Sequence, residues 1–467
     1  MNWKKSDRLC RVLGGGLSAL AILASAAPAP ALTNAPAAGN PPPVWVTHPL
    51  TLTDAINLAL QQNGTILKGQ SDLAAAYGVV VQTRAIALPK VQVLGQYQAV
   101  AENSIDTPAG STFAFGTAQS WTTQIRLVQS IYEGGRITSA LRSAKLTKEQ
   151  ALLEYQTVVA DTLLAVRIAY YDILLAAQQI VVREASVKLL QRELDDQQRR
   201  YDAGTVPRFN VLRAEVAVAN ARPQLIRARN AERIGKYNLV NLLGYDVART
   251  VGEDLPLVLT DKLAATPYQI DVSAAIGEAL ERRPELGALR KAEALRREGI
   301  VNAQSGYKPS VQIFGGYGDR SSSFSSDLST DRHGWLAGAQ LSWQLFDGFL
   351  TQGKISEARA VHQKSQTEVN DTARRIELEV RTAYSDFIEA REVLESQKKV
   401  QEQAEEALRL AVARADAGSG TQLDVLDAQT SLTEARTTQS LALRDYAVAL
   451  AKLERATGRD VAPVPAK

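Results

Sequence analysis

The chain repeats itself, and the repeat restricts the fold more than any other feature. Ala55-Ile56 and Ala59-Leu60 return 220 residues later as Ala275-Ile276 and Ala279-Leu280, and Pro89-Lys90-Val91-Gln92-Val93 returns as Pro309-Ser310-Val311-Gln312-Ile313. Further on the offset falls to 214. There Ile131-Tyr132-Glu133-Gly134 matches Leu345-Phe346-Asp347-Gly348, Val166-Arg167 matches Val380-Arg381, and Gly244 matches Gly458. The six-residue difference falls in a loop, where duplicated halves tolerate a change of length. Each half must therefore build the same series of elements.

That series reads helix, strand, loop, strand, long helix, tight turn, helix. Leu50 to Leu88 predicts one helix, capped at Thr51 or Thr53 and ended by Pro89. Val91 to Val100 alternates, with Val91, Val93, Tyr97 and Ala99 opposite Gln92, Gln96 and Gln98. Trp121 to Tyr132 alternates likewise, with Ile125, Leu127 and Ile131 opposite Gln124, Arg126 and Ser130. Glu133-Gly134-Gly135-Arg136 reads as the turn into a helix that runs to Asp202. Along it Val159, Val166, Ile173, Ile180, Val187, Leu194 and Tyr201 recur every seven residues, the spacing of coiled-coil packing. At 1.5 Å per residue the helix spans on the order of 100 Å. A second helix is expected from Arg208 to Leu243, with Pro223 kinking it or marking a joint.

The two turns between long helices match each other. Asp202-Ala203-Gly204 corresponds to Asp416-Ala417-Gly418, and Asn210-Val211-Leu212 to Asp424-Val425-Leu426. The glycines accept the positive φ that a helix end needs. Asp424 and Asp427 lie three residues apart and share one face of the new helix.

The first 31 residues read as a secretory leader. Lys4, Lys5, Arg8 and Arg11 precede the apolar Val12 to Leu23, and cleavage sites follow at Ala24-Ser25-Ala26 or Ala29-Pro30-Ala31. The apolar run is too short for a membrane anchor. Removing the leader takes away four basic residues and Asp7, which brings the formal charge from +3 to 0 and removes the support for nucleic-acid binding. The one cysteine, Cys10, goes with it, so disulfides and thiolate metal sites are not expected. His48, His333 and His362 are scattered, and Gly14-Gly15-Gly16 lacks the Lys-Ser/Thr of a phosphate loop. No catalytic, cofactor or metal site is expected, and the chain does not read as an enzyme.

Four two-faced strands of about ten residues fit either a transmembrane barrel wall or a small sheet covered by helix. Four strands cannot close a barrel, and an open edge is not tolerated in lipid. Closure would need further copies, eight strands from two chains or twelve from three. The heptad stripes likewise need partner helices. A periplasmic coiled-coil adaptor or scaffold without a barrel is the competing reading.

Over about residues 50–460 the chain resembles the TolC-like outer-membrane efflux proteins. The duplication, the strand-end motifs Ile131-Tyr132-Glu133-Gly134-Gly135-Arg136 and Leu345-Phe346-Asp347-Gly348, and the tips at Gly204 and Gly418 carry the likeness. The resemblance implies an α+β membrane protein. Its four β-strands per chain would contribute to a trimeric 12-stranded β-barrel in outer-membrane lipid, and a long α-helical coiled-coil tunnel would cross the periplasm. It implies the exit duct of a tripartite efflux or type I secretion system, a homotrimer working with a periplasmic adaptor (membrane fusion) protein and an inner-membrane pump. On this reading 1–31 is the leader and 32–50 a Pro/Ala-rich linker. The first repeat is 51–250, with a β-hairpin at 91–132 and its tip at 202–207. A connector, 251–270, leads to the second repeat at 271–460, with a hairpin at 311–346 and its tip at 416–421. The tail is 461–467.

The family's periplasmic gate is an aspartate pair six and nine residues after the second tip glycine, where this chain has Asp424 and Asp427. In a trimer six carboxylates would raise one another's pKa. The resemblance also implies adaptor docking at Gly204, Thr205, Val206, Gly418, Ser419, Gly420 and Thr421. The chain departs from the familiar lock, with Ala415 and Gly420 in place of a Tyr and an Arg, and Asn210 in place of an Asp. Arg208 and Arg213 are the basic residues at hand for that role, or are simply solvated. The loops near Ser111 and Ser325 are expected to face the cell exterior.

Overall fold

The computed structural model describes residues 49–101, 117–246, 254–321 and 327–459. The expected leader, most of the Pro/Ala stretch, and the loops around Ser111 and Ser325 lie outside these residues. The described chain forms two compact units, one taking in 82–142 and 299–356, the other up to Val81, 143–298 and 357–459.

The first unit is built on a four-stranded antiparallel sheet. Its strands are β1 (Lys90–Ala99), β2 (Gln119–Glu133), β3 (Ser310–Ser321) and β4 (Asp331–Ser342), side by side in chain order. The pairing of β2 with β3 joins the two repeats: Ile125 faces Tyr317 and Arg126 faces Gly316. Because side chains alternate, this register puts Val91, Val93, Tyr97, Ile125, Leu127, Ile313, Tyr317, Trp335 and Leu341 on one face. That face is open, Trp335 being 81% exposed. The apolar part of this face is a binding or lipid-facing surface rather than a solvated one, and Asp319, His333 and Asp331 lie on the same face at its loop end. Among the described residues β1 pairs only with β2 and β4 only with β3, so both outer edges keep unpaired backbone groups.

The second hairpin ends earlier than its expected segment 311–346, because β4 stops at Ser342. Beyond it the chain turns through Gly348 and Phe349, and Phe349 takes φ +67° where the first repeat has Gly135. This is the one non-glycine with positive φ among the described residues.

The second unit is helical. Leu50 to Leu88 is not one helix: α1 (Leu52–Gln62) ends at Asn63, and α2 (Gly64–Arg84) leads into a short 3-10 turn at Ala85–Ala87. Asn63 makes the break. Its Oδ1 accepts from the N–H groups of Thr65 (2.7 Å) and Ile66 (3.1 Å), while its Nδ2 donates to the carbonyl of Leu242 (2.6 Å). An asparagine that caps a new helix and is itself buried offers the backbone an alternative to continuing. Thr51, one of the two expected caps, caps α1, and it does so through a box with Asp54.

The long helix α3 runs from Arg136 to Asp202 and α4 from Arg208 to Leu242. Of the kink or joint expected at Pro223, the joint is absent: α4 continues through it. The proline is solvent-exposed, so the carbonyl it leaves without a donor can turn to water. The second repeat supplies α5 (Val272–Arg282), α6 (Pro284–Gln304), α7 (Leu350–Asp416) and α8 (Gln422–Thr457). Here Pro284 starts α6 at the place where Gly64 starts α2.

Each repeat packs its own core at matching positions. Ala55, Ala59, Val166, Tyr170, Ile173 and Leu239 form one core. Ala275, Ala279, Val380, Phe387 and Leu453 form the other, with Tyr384, the counterpart of Tyr170, packed against it. Ion pairs then stitch the repeats together along α3 and α8. Arg455 meets Asp161 at 2.7 Å, Arg167 meets Glu454 at 2.8 Å, and Arg444 meets Asp172 at 2.6 Å. Toward the tips the stitching changes to a neutral contact, Thr433 Oγ1 to Ser186 Oγ at 3.1 Å.

Candidate functional site at the helical tips

Both expected tips form the turns their glycines permit. Gly204 has φ +75° and Gly418 φ +71°, a conformation that costs other residues energy through their Cβ. At the first tip the Gly204 N–H reaches the Tyr201 carbonyl (2.8 Å) and the Thr205 N–H the Arg200 carbonyl (2.9 Å). The Thr205 hydroxyl adds a second bond to Arg200 O at 2.8 Å. At the second tip the N–H groups of Ser419 and Gly420 both donate to Arg414 O at 2.9 Å. Orphan carbonyls at the ends of α3 and α7 are thus satisfied within each turn.

Asp424 has a local task that the sequence did not reveal. Thr421 is the N-cap of α8, and the two residues form a capping box. The Thr421 N–H donates to Asp424 Oδ2 (2.9 Å), and the Asp424 N–H donates to Thr421 Oγ1 (3.2 Å). The hydrogen bonds from the Thr421 backbone and hydroxyl hold the Asp424 carboxyl below its ordinary value of 3.8. Within one chain this is the reverse of the rise expected from a ring of like charges. Asp427, one turn further on, is exposed.

Where the familiar lock residues are missing, the structure shows what stands in their place. Gly420 packs against the end of α7, and a Cβ there would lie 3.0 Å from the Ala415 nitrogen, so a side chain would need the backbone to shift. Ala415 lines a polar cavity of about 490 Å³ among the four helix ends, together with Gln197, Arg200, Asn210, Asp416 and Gln429. Arg213 stacks on Phe209 at 5.1 Å. The two tips touch instead through Gln422, whose Nε2 donates to the Asn210 carbonyl at 3.2 Å. Arg200 also reaches across to Asp416 at 3.8 Å while bonding Asp196 at 2.7 Å. Sequence reasoning missed Gln422 because its partner is a main-chain oxygen, which leaves no mark in residue identity. It missed the ion pairs along α3 and α8 too, although Arg167 stood in the duplicated motif.

A profile of the family described as "Outer membrane efflux protein" matches residues 55–245 and 275–459, one stretch in each repeat. The chain belongs to this family. It is therefore an outer-membrane channel protein of the efflux and secretion class, and the alternative of a periplasmic scaffold without a barrel falls away. The curated outer membrane protein TolC of Vibrio cholerae is 25% identical over 423 residues, covering 89% of this chain and 91% of that protein. The protein CyaE of Bordetella pertussis is 27% identical over 354 residues, covering 75% of this chain and 72% of its own length. Among solved structures, the Campylobacter jejuni CmeC outer membrane channel superposes with a TM-score of 0.76 at 16% identity, over 88% of this chain and 86% of that one. At such identity the superposition speaks for the fold alone: long helices and a four-stranded antiparallel sheet per chain.

Proposed function

We propose that three copies of the chain assemble into one duct, closing a twelve-stranded barrel in the outer membrane and a helical tunnel in the periplasm. The observation that carries this reading is the sheet with an exposed apolar face and two unpaired edges, which needs neighbours before lipid can surround it. The tips, Gly204 to Val206 and Gly418 to Thr421, are the docking points for a periplasmic adaptor that connects the duct to an inner-membrane pump. Asp424 and Asp427 gather near the threefold axis as a negative gate. Fixed carboxylates concentrate cations within about 8–10 Å at physiological salt, so a trivalent cation added from the tip side should block the open channel.

The test is single-channel current in a planar bilayer, wild type against Asp424→Asn/Asp427→Asn. Asparagine is chosen because it retains an acceptor for the Thr421 N–H while removing the charge. Block should weaken by about tenfold or more, one step of about 1.4 kcal/mol. Equal block in the two proteins would place the gate elsewhere. A stable monomer in detergent would refute the trimer.

A further inference from the structure

The strand register reveals a charge pattern on the sheet's other face. Opposite the apolar side, one row across the sheet is Gln92, Arg126, Gly316 and Leu336, and another is Gln96, Thr122, Arg320 and Arg332. The rows are four residues apart along the strands, about 13 Å. Lys90 belongs to the same face two positions the other way, in a row with Val128, Phe314 and Gly338. Among the strand residues of this face the carboxylate is Glu133, at the end next to α3, and Arg136 lies 3.2 Å from it. The two rows that hold the arginines contain no carboxylate. Asp319 and Asp331 fall on the opposite face.

Stability does not account for this arrangement. Arg320 and Arg332 are direct cross-strand partners, and like charges set opposite each other are destabilising. Arg126 lies over the Phe314 ring at 4.4 Å, and its Nε is buried without a hydrogen-bond partner. Gly316 beside Arg126 and Gly334 near Arg332 leave the polar face open around these groups. Among the described residues, three guanidinium groups per chain are held apart from carboxylates on the face opposite the apolar one.

We infer that Arg126, Arg320 and Arg332 form a filter in the barrel lumen that binds anionic groups of the cargo, distinct from and in series with the cation-concentrating carboxylates at the tips. The inference rests on the oligomeric barrel proposed above. Three chains would place six guanidinium groups in the outer row and three in the inner one. A cleft lined by one sign of charge raises the local concentration of the opposite ion. Arginine suits the task because it stays charged and presents a planar fork to carboxylate, sulfate or phosphate groups.

The experiment measures the chloride-to-potassium permeability ratio of the full-length protein in planar bilayers under a potassium chloride gradient. Arg126→Gln/Arg320→Gln/Arg332→Gln should lower the ratio by about twofold or more, and the corresponding triple lysine variant should keep it. A second measurement does not depend on the triple variant assembling. Cys10 is the one cysteine and lies in the expected leader, so Arg332→Cys supplies a unique thiol once that leader is removed, which mass measurement of the purified protein checks. A negatively charged thiol reagent should lower the ratio, and a positively charged one should restore it. An unchanged ratio in a conducting triple variant, or equal effects of the two reagents, would overturn the filter. Wild-type protein that forms no channel and runs as a monomer would overturn the barrel reading itself, a result readily told apart from the first.

Discussion

Replacing Arg455 with methionine tests the ion cluster that ties the two repeats together. Arg455 is 5% exposed. Its guanidinium meets Asp161 Oδ1 at 2.9 Å through Nε and at 2.7 Å through Nη2, and Glu285 Oε1 at 3.4 Å. Glu285 is also held by Arg283, 2.6 Å away through Nε, and Arg283 in turn reaches Glu379 at 2.5 Å. The consequences differ for the two carboxylates. The Asp161 side chain is 61% exposed and regains water when its partner leaves, so that contact contributes less than about 1 kcal/mol. Glu285 is 22% exposed, and its Oε2 is buried without a partner.

Breaking a buried pair from one side costs about 3–5 kcal/mol, but Arg283 remains beside Glu285 and reduces this. Methionine keeps most of the apolar stem in place, so the cavity contribution is small. The expected loss is about 2–4 kcal/mol. It also has a pH signature. Burial opposes the charge on Glu285, yet Arg455 and Arg283 outweigh it and hold the carboxyl below its ordinary 4.5. A carboxylate depressed on folding contributes stability that is present above its unfolded value and is lost as pH falls through the folded one. Wild type should therefore weaken below pH 4.5, and Arg455→Met should weaken less there, part of the contribution being gone already. The assay is urea unfolding in a fixed detergent, followed by helical circular dichroism at neutral pH and at about pH 4. A loss under about 1 kcal/mol, or parallel pH profiles, would refute the reasoning.

Two more predictions concern single residues. Gln422→Ala removes the side chain that bonds the Asn210 carbonyl and leaves Arg200–Asp416 as the remaining polar link between the tip turns; the resting conductance should rise and single-channel closures shorten, and unchanged gating would show that Gln422 does not hold the tips. Phe349→Gly replaces a residue with φ +67° that is 69% exposed, so relief of backbone strain should outweigh lost contact with Phe346 and stabilise the protein by about 1 kcal/mol in detergent, which the same urea assay would detect.

The sequence by itself determined the repeated order of elements, and it did so through periodicity. Spacing of seven along Val159 to Leu194 and alternation along Val91 to Ala99 depend on residues near one another in the chain, and so do the turns at Gly204 and Gly418. Tertiary structure decided what depends on residues far apart. The helix break at Asn63 needed the Leu242 carbonyl, 179 residues away, to hold the amide. The face shared by Arg126, Arg320 and Arg332 needed the register between β2 and β3, strands from different repeats. Asp424 was legible as a carboxylate at the proposed gate, but its bond to Thr421 followed from cap geometry, and the Gln422 contact from a main-chain oxygen that any residue at position 210 could offer. Side-chain identity encodes local preference and polarity; which groups meet across hundreds of residues is set by packing and strand pairing, and those exist only in the folded chain.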